Sequence, residues 1–171
     1  MSRILLVDDS PHAQRIGERI LTDEGYEVVT VSNADSALVR LEDADPDVVI
    51  ADTVMPGRTG YDICQYIKMN PRFRHVRVIL TAGVLEPIDE VQASKSSSDG
   101  TLKKPFEASV LIAAVKPLAE AAEAARSSTS GAPDAKPSRL AANTPFITAL
   151  WGSSASDVWA ASRNGIYHGT R

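Results

Sequence analysis

From Ile4 to about Leu118, short continuous apolar runs alternate with amphipathic stretches. Ile4-Leu5-Leu6-Val7 is the first run, and it ends abruptly in Asp8-Asp9. Ser10-Pro11 then supplies a capping hydroxyl and a first-turn proline, which predicts a helix to about Glu24, stopped by Gly25. Glu27 to Val31 reads as a second strand, and Asn33 caps a helix through Leu41. Val48-Val49-Ile50-Ala51 repeats the pattern of the first strand and again ends on an acid, Asp52. Gly60 to Met69 is predicted helical, with Ile63, Tyr66 and Ile67 at core-facing spacing. Val76 to Leu80 is a fourth apolar strand, ending at Thr81. A short fifth strand about Thr101-Leu102-Lys103 leads into Lys104-Pro105-Phe106, and Glu107 opens a last helix rich in Val, Leu and Ala. Pro117 lies within that helix and predicts a kink or an end near Lys116.

Strands alternating with helices define an α/β chain with a parallel sheet and helices on both faces. Strands that are apolar throughout, rather than at alternate positions, agree with burial on both sides. Ligands of such sheets bind beyond the carboxyl ends of the strands. Asp8, Asp9, Asp52, Thr81 and Lys104 all fall just past strand ends, so polar residues from four strands converge on one rim. Composition then divides the chain into a domain over 1–122, a small, polar, proline-bearing linker over 123–145 and a tail over 146–171.

Three carboxylates gathered at one rim repel one another unless a cation intervenes. A hard divalent ion relieves this, and an all-oxygen site that retains waters suits magnesium, Mg2+. Lys104 can pair with an aspartate before a reaction and with a phosphoryl oxygen afterwards, while Thr81 offers a neutral donor to a second oxygen. Phosphoryl transfer needs mainly positioning and neutralisation of oxygens, and Asp52 can act as the nucleophile without a general base.

Charge and composition narrow the surroundings. The net charge of -4 gives no basis for direct nucleic-acid binding, which needs clustered positive charge. Cys64 is the only cysteine, so an intrachain disulfide framework is excluded and a reducing cytoplasm fits best. Cys64 reads most simply as a small core residue. His12, His75 and His168 lack metal-ligand spacing and are expected at solvated positions. The first apolar run is too short for a signal-peptide core, and no run approaches the roughly eighteen apolar residues of a membrane span.

The stretches LLVDDSPHAQR (Leu5 to Arg15), VVIADTVMPGRTGYDIC (Val48 to Cys64), VILTA (Val78 to Ala82) and KKPF (Lys103 to Phe106) together resemble a bacterial two-component response-regulator receiver domain over about residues 3–120. The resemblance implies a doubly wound five-stranded parallel sheet in the order 2-1-3-4-5, a flavodoxin-like receiver. It implies that Asp52 accepts a phosphoryl group from a sensor histidine kinase or phosphotransfer protein. Asp8 and Asp9 then hold the metal with Asp52, Val54 ligates it through its backbone carbonyl, Thr81 is the switch hydroxyl and Lys104 the conserved-type lysine. Such a domain signals to a downstream protein and catalyses only its own phosphorylation and dephosphorylation. Two other readings of the rim are a phosphorylation-independent pseudo-receiver and an aspartate-nucleophile phosphatase. The retained rim residues argue against the first; Val54, where the phosphatase pattern has a second Asp, argues against the other.

The chain departs from the resemblance at two points besides Pro117. Many receivers carry an aromatic residue three positions before the lysine, where this chain has Thr101. The run Ser94 to Gly100 is polar where the family has an apolar helix end, so a short or mobile fourth helix is expected. The tail, FITALWGSSASDVWAASRNGIYHGTR, reads as three short strands joined by a Gly-Ser-Ser turn and an Asn164-Gly165 turn. Its WGSSASDVWA portion resembles part of one blade of a β-propeller repeat, and a lone hairpin of this size is marginal in water.

Overall fold

The five strand segments expected from the sequence, the short fifth included, form the five strands of one parallel sheet. A computed structural model describes residues 1–130, 147–154, 157–162 and 165–170, with side chains through residue 128. Element order is β1 (Arg3–Val7), α1 (Pro11–Asp23), β2 (Glu27–Val31), α2 (Ala34–Ala44), β3 (Val48–Asp52), α3 (Gly60–Met69), β4 (Arg77–Ala82), α4 (Glu90–Lys95), β5 (Gly100–Lys103) and α5 (Ala108–Ser130), with a 3-10 turn at Pro71–Phe73. The strand order is β2-β1-β3-β4-β5, every pair parallel, as the family resemblance implied.

Side-chain alternation along each strand divides the core between the two faces. Leu5, Val7, Val49, Ala51, Val78 and Leu80 meet Ala37 and Leu41 of α2 and Ile63, Cys64 and Ile67 of α3. Ile4, Leu6, Val48, Ile50 and Ile79 meet Leu21 of α1 and Leu111, Val115 and Ala119 of α5. Each fully buried Leu or Ile here contributes about 1.5–3 kcal/mol relative to exposure. Burial on both faces explains why the central strands are apolar between the arginines that open β1 and β4 and the polar residues at or just past their carboxyl ends.

Helix starts follow local chemistry. The Ser10 hydroxyl accepts from the Ala13 amide at 3.4 Å, Asn33 Oδ1 accepts from Ser36 at 2.8 Å, and the Thr59 amide and hydroxyl both donate to Asp62 Oδ2, at 2.8 and 3.1 Å. Gly60, which opens α3, has no room for a side chain. A Cβ there would lie 2.5 Å from the Asp52 carbonyl oxygen and 2.9 Å from that of Ala51, and both neighbours are backbone. Gly60→Ala is therefore expected to destabilise the domain by about 1–3 kcal/mol, the usual cost of overpacking. An unchanged denaturant midpoint would show that this approach is looser than described.

Several expectations are corrected. Pro117 does not end the last helix: α5 continues through Ser130, into the segment read as linker. One missing backbone hydrogen bond is offset by packing beyond it, where Ala119 and Ala122 are buried and Arg126 bonds Asp45 Oδ2 at 2.7 Å. Tyr66 is 41% exposed rather than core-facing, its ring 6.3 Å from Phe73 at the edge of the α3 face. His75 is not solvated: its side chain is 14% exposed, with Nε2 3.2 Å from Asp45 Oδ1. His12 is exposed and Cys64 buried, as expected; the His168 side chain lies outside the described residues.

The fourth helix is short, as the polar run suggested, and that run is tethered. Lys68 Nζ contacts Asp99 Oδ2 at 2.5 Å, the Val78 amide donates to the same oxygen at 2.7 Å, and Cys64 Sγ approaches the Ser96 carbonyl at 3.2 Å. Among the described residues, no helix is long and apolar enough to cross a membrane.

The described residues beyond α5 form a separate unit. Its strands β6 (Ile147–Ser154), β7 (Asp157–Ser162) and β8 (Gly165–Thr170) make an antiparallel sheet in that order, with Trp151 opposite Trp159 and Trp159 opposite His168. The expected Gly-Ser-Ser turn is instead taken up inside β6, where the register shifts between Trp151 and Ser154. Asn164 of the second expected turn lies outside the described residues.

Candidate functional site

The carboxyl ends of β1, β3, β4 and β5 deliver the rim residues to one place. Asp52 is the last residue of β3 and is 1% exposed; Asp8 follows β1 and is fully buried; Asp9 beside it is exposed. One carboxylate oxygen from each of Asp8, Asp9 and Asp52 lies within 4.8 Å of the others. Lys104, just beyond β5, reaches into this group: Nζ is 2.5 Å from Asp52 Oδ2 and 3.1 Å from Asp8 Oδ2. The Lys104–Pro105 peptide is cis.

The second oxygen of each buried carboxylate, Asp8 and Asp52, is held by backbone. Asp8 Oδ1 accepts from the Ser10 amide at 2.9 Å, and Asp52 Oδ1 accepts from the Val54 amide at 3.1 Å. Val54 is 50% exposed at the mouth of the site. Thr81 pairs in register with Asp52 on the neighbouring strand. Its carbonyl is gripped by Thr53, whose amide donates at 2.8 Å and hydroxyl at 3.0 Å. The Thr81 hydroxyl itself is buried without a hydrogen-bond partner. A buried hydroxyl with no partner costs stability, so its persistence at this rim points to an acceptor supplied from outside the fold.

Burial drives the electrostatics. Desolvation pushes the Asp52 carboxyl above its ordinary value, with the hydrogen bonds from Lys104 and the Val54 amide opposing the shift and Asp8 reinforcing it. Burial also acts to lower the Lys104 ammonium, but its bonds to Asp52 and Asp8 outweigh that and hold its pKa up. The site is thus a cationic lysine under a carboxylate whose charge is poorly stabilised without further positive charge. The donor set is all hard oxygen, two of the three carboxylates are buried, and Asp9 opens to solvent, which fits magnesium with retained waters.

Of the side chains that the sequence reading assigned to the rim, Asp8, Asp9, Asp52 and Lys104 meet here, and Thr81 lies in register beside Asp52. Thr53, Ser10 and Gln14 escaped it. They act on the site through backbone groups, and no residue spacing signals that. The other missed feature is the loop after β4, where the Glu86 carboxylate accepts from the Gly83 amide at 2.8 Å and Lys103 Nζ reaches the Glu86 carbonyl. Thr101, opposite Leu80 on β4, is exposed.

Comparison with known proteins agrees with this geometry. A family model for the response regulator receiver domain matches residues 4–116. The chain is 35% identical over 117 residues to the response regulator PleD of Caulobacter vibrioides, a match covering 68% of this chain and 26% of PleD. It is 31% identical over 114 residues to protein PilG of Pseudomonas aeruginosa, covering 67% of this chain and 84% of PilG. The crystal structure of Vibrio cholerae chemotaxis protein CheY4 superposes with a TM-score of 0.64 at 27% identity, over 69% of this chain and 98% of that one. The chain therefore belongs to the response regulator receiver family, whose members are signalling modules of two-component systems.

Proposed function

We propose that this receiver accepts a phosphoryl group on Asp52, with Mg2+ held by Asp8, Asp9, Asp52 and the Val54 backbone carbonyl. The observation that carries the reading is the ion pair of buried Asp52 with half-buried Lys104, flanked by two further carboxylates and an unpartnered Thr81 hydroxyl. An Asp52 carboxylate oxygen attacks the phosphorus of the donor in line. The new Asp52 O–P bond forms as the bond to the donor breaks, and the leaving group takes its proton from solvent. Lys104 exchanges its contact with Asp52 for one with a phosphoryl oxygen, and the Thr81 hydroxyl donates to a second. Magnesium held by these residues would supply positive charge at the phosphoryl oxygens.

The donor in this reading is a sensor histidine kinase or phosphotransfer protein. An apolar cleft lined by His12, Ile16, Val84, Pro105 and Phe106 opens directly beside Lys104 and offers that partner a surface. Output passes to a downstream protein in the cytoplasm. Incubation of the full chain with a small phosphodonor tests the chemistry: uptake should require magnesium, stop with excess chelator, and give an adduct stable in acid and labile in base. Full uptake in chelator would reject the metal-dependent mechanism.

The phospho-form is expected to be long-lived. Hydrolysis needs an in-line water, and the two places flanking the site, Val54 and Gly83, offer no side-chain hydrogen bond to hold one. The Gly83 amide is already taken by Glu86. Direct decay measurements should show a phosphoryl group persisting well beyond seconds, with Val54→Asn accelerating its loss. Decay within seconds, or no effect of Val54→Asn, would contradict this.

A further inference from the structure

Asp9 differs from its neighbours in how it is held. Asp8 and Asp52 each have both carboxylate oxygens fixed, by Ser10 or Val54 on one side and Lys104 on the other. The exposed Asp9 carboxylate has no hydrogen-bond or ion-pair partner among the described residues, yet it lies within 4.8 Å of the other two. Its place must then be set by the backbone that carries it. The Asp8 amide donates to the Val31 carbonyl at 3.1 Å, which ties the turn to β2. The next anchor is Gln14, one turn into α1 and half-buried. Gln14 Nε2 donates to the Asp8 carbonyl oxygen at 2.5 Å and approaches the same Val31 carbonyl at 3.5 Å. The Asp8 carbonyl belongs to the peptide joining Asp8 to Asp9, and because that peptide is planar, fixing its oxygen fixes the direction in which Asp9 leaves.

We infer that Gln14 is a positioning residue for the metal site, using its side-chain amide to lock the Asp8–Asp9 peptide so that the otherwise unheld Asp9 carboxylate faces Asp8 and Asp52. The inference rests on the magnesium reading above and extends it to a residue that touches neither metal nor phosphoryl group. Groups that orient ligands from behind typically change metal affinity by about 10–100-fold when lost.

The test is a titration of magnesium chloride into the full chain without phosphodonor, followed by backbone amide shifts, together with thermal melts in the absence of metal. Gln14→Met keeps length and volume but removes the donor. It should weaken magnesium binding about tenfold or more, with the Asp9 amide among the most displaced resonances and the metal-free melting temperature nearly unchanged. If Gln14→Met does not fold, Gln14→Asn, whose amide is one methylene short of the Asp8 carbonyl, is read in the same way. Wild-type affinity in the variant would overturn the inference. So would an affinity loss that merely tracks lost metal-free stability, since that is the behaviour of an ordinary packing residue. Failure of the wild-type chain to give saturable shifts would instead sink the magnesium reading itself, so the two failures are distinguishable.

Discussion

Lys104→Ala should lower the rate of phosphoryl uptake by about 10²-fold or more, the usual effect of removing one group that stabilises transition-state charge. Among the described residues, Lys104 is the one cation bonded to Asp52 and Asp8, whose side chains are 2% and 0% exposed. Its loss leaves two buried carboxylates facing each other. Removing one partner of a buried pair costs about 3–5 kcal/mol, so the metal-free variant should also melt lower. Magnesium should restore part of that stability, because it supplies the missing positive charge, without restoring the rate. Stopped-flow uptake and melts with and without metal separate the two effects. A variant that phosphorylates at the wild-type rate would remove Lys104 from the chemistry.

Asp9→Ala should abolish magnesium-dependent uptake while leaving the domain folded, and it should not lower metal-free stability, because one of three mutually repelling carboxylates is gone. The same electrostatics give a pH dependence in the wild-type chain. The folded-state pKa of Asp52 is raised, so the stability it contributes is fully present below the ordinary carboxylate range and is lost as pH rises through the raised value. Above that raised value Asp52 is ionised at a cost, and magnesium offsets that cost. At ten times its dissociation constant a ligand stabilises by about 1.4 kcal/mol. The magnesium-induced rise in melting temperature should therefore grow as pH rises through the raised Asp52 value, because below it protons compete with the metal for the carboxylate. A metal effect that is flat with pH, or full uptake by Asp9→Ala, would contradict this account.

The strands and the rim were legible in the sequence because two constraints coincide there. A strand buried on both faces must be apolar until it emerges, so Val7 to Asp8 and Ala51 to Asp52 register both as strand ends and as chemistry. What stayed hidden depends on contacts between distant segments. Gln14 works through the Asp8 carbonyl and Thr53 through the Thr81 carbonyl, and a backbone acceptor leaves no trace in residue spacing. His75 is drawn inward by Asp45 and Arg126, which lie far from it in sequence. Tyr66 follows helical periodicity correctly but falls where the α3 face runs out of sheet to cover it. Pro117 obeys its local rule by losing a donor, and the packing of Ala119 and Ala122 carries the helix past it.

Residue-level mapping of the phosphoryl group tests the central claim most directly. After incubation with a small phosphodonor and magnesium, the full chain should carry a single base-labile adduct on the peptide containing Asp52, and Asp52→Ala should carry none. Labelling of Asp52→Ala to the wild-type level, or an adduct mapped to Asp8, Asp9 or a hydroxyl, would contradict the assignment of Asp52 as the acceptor.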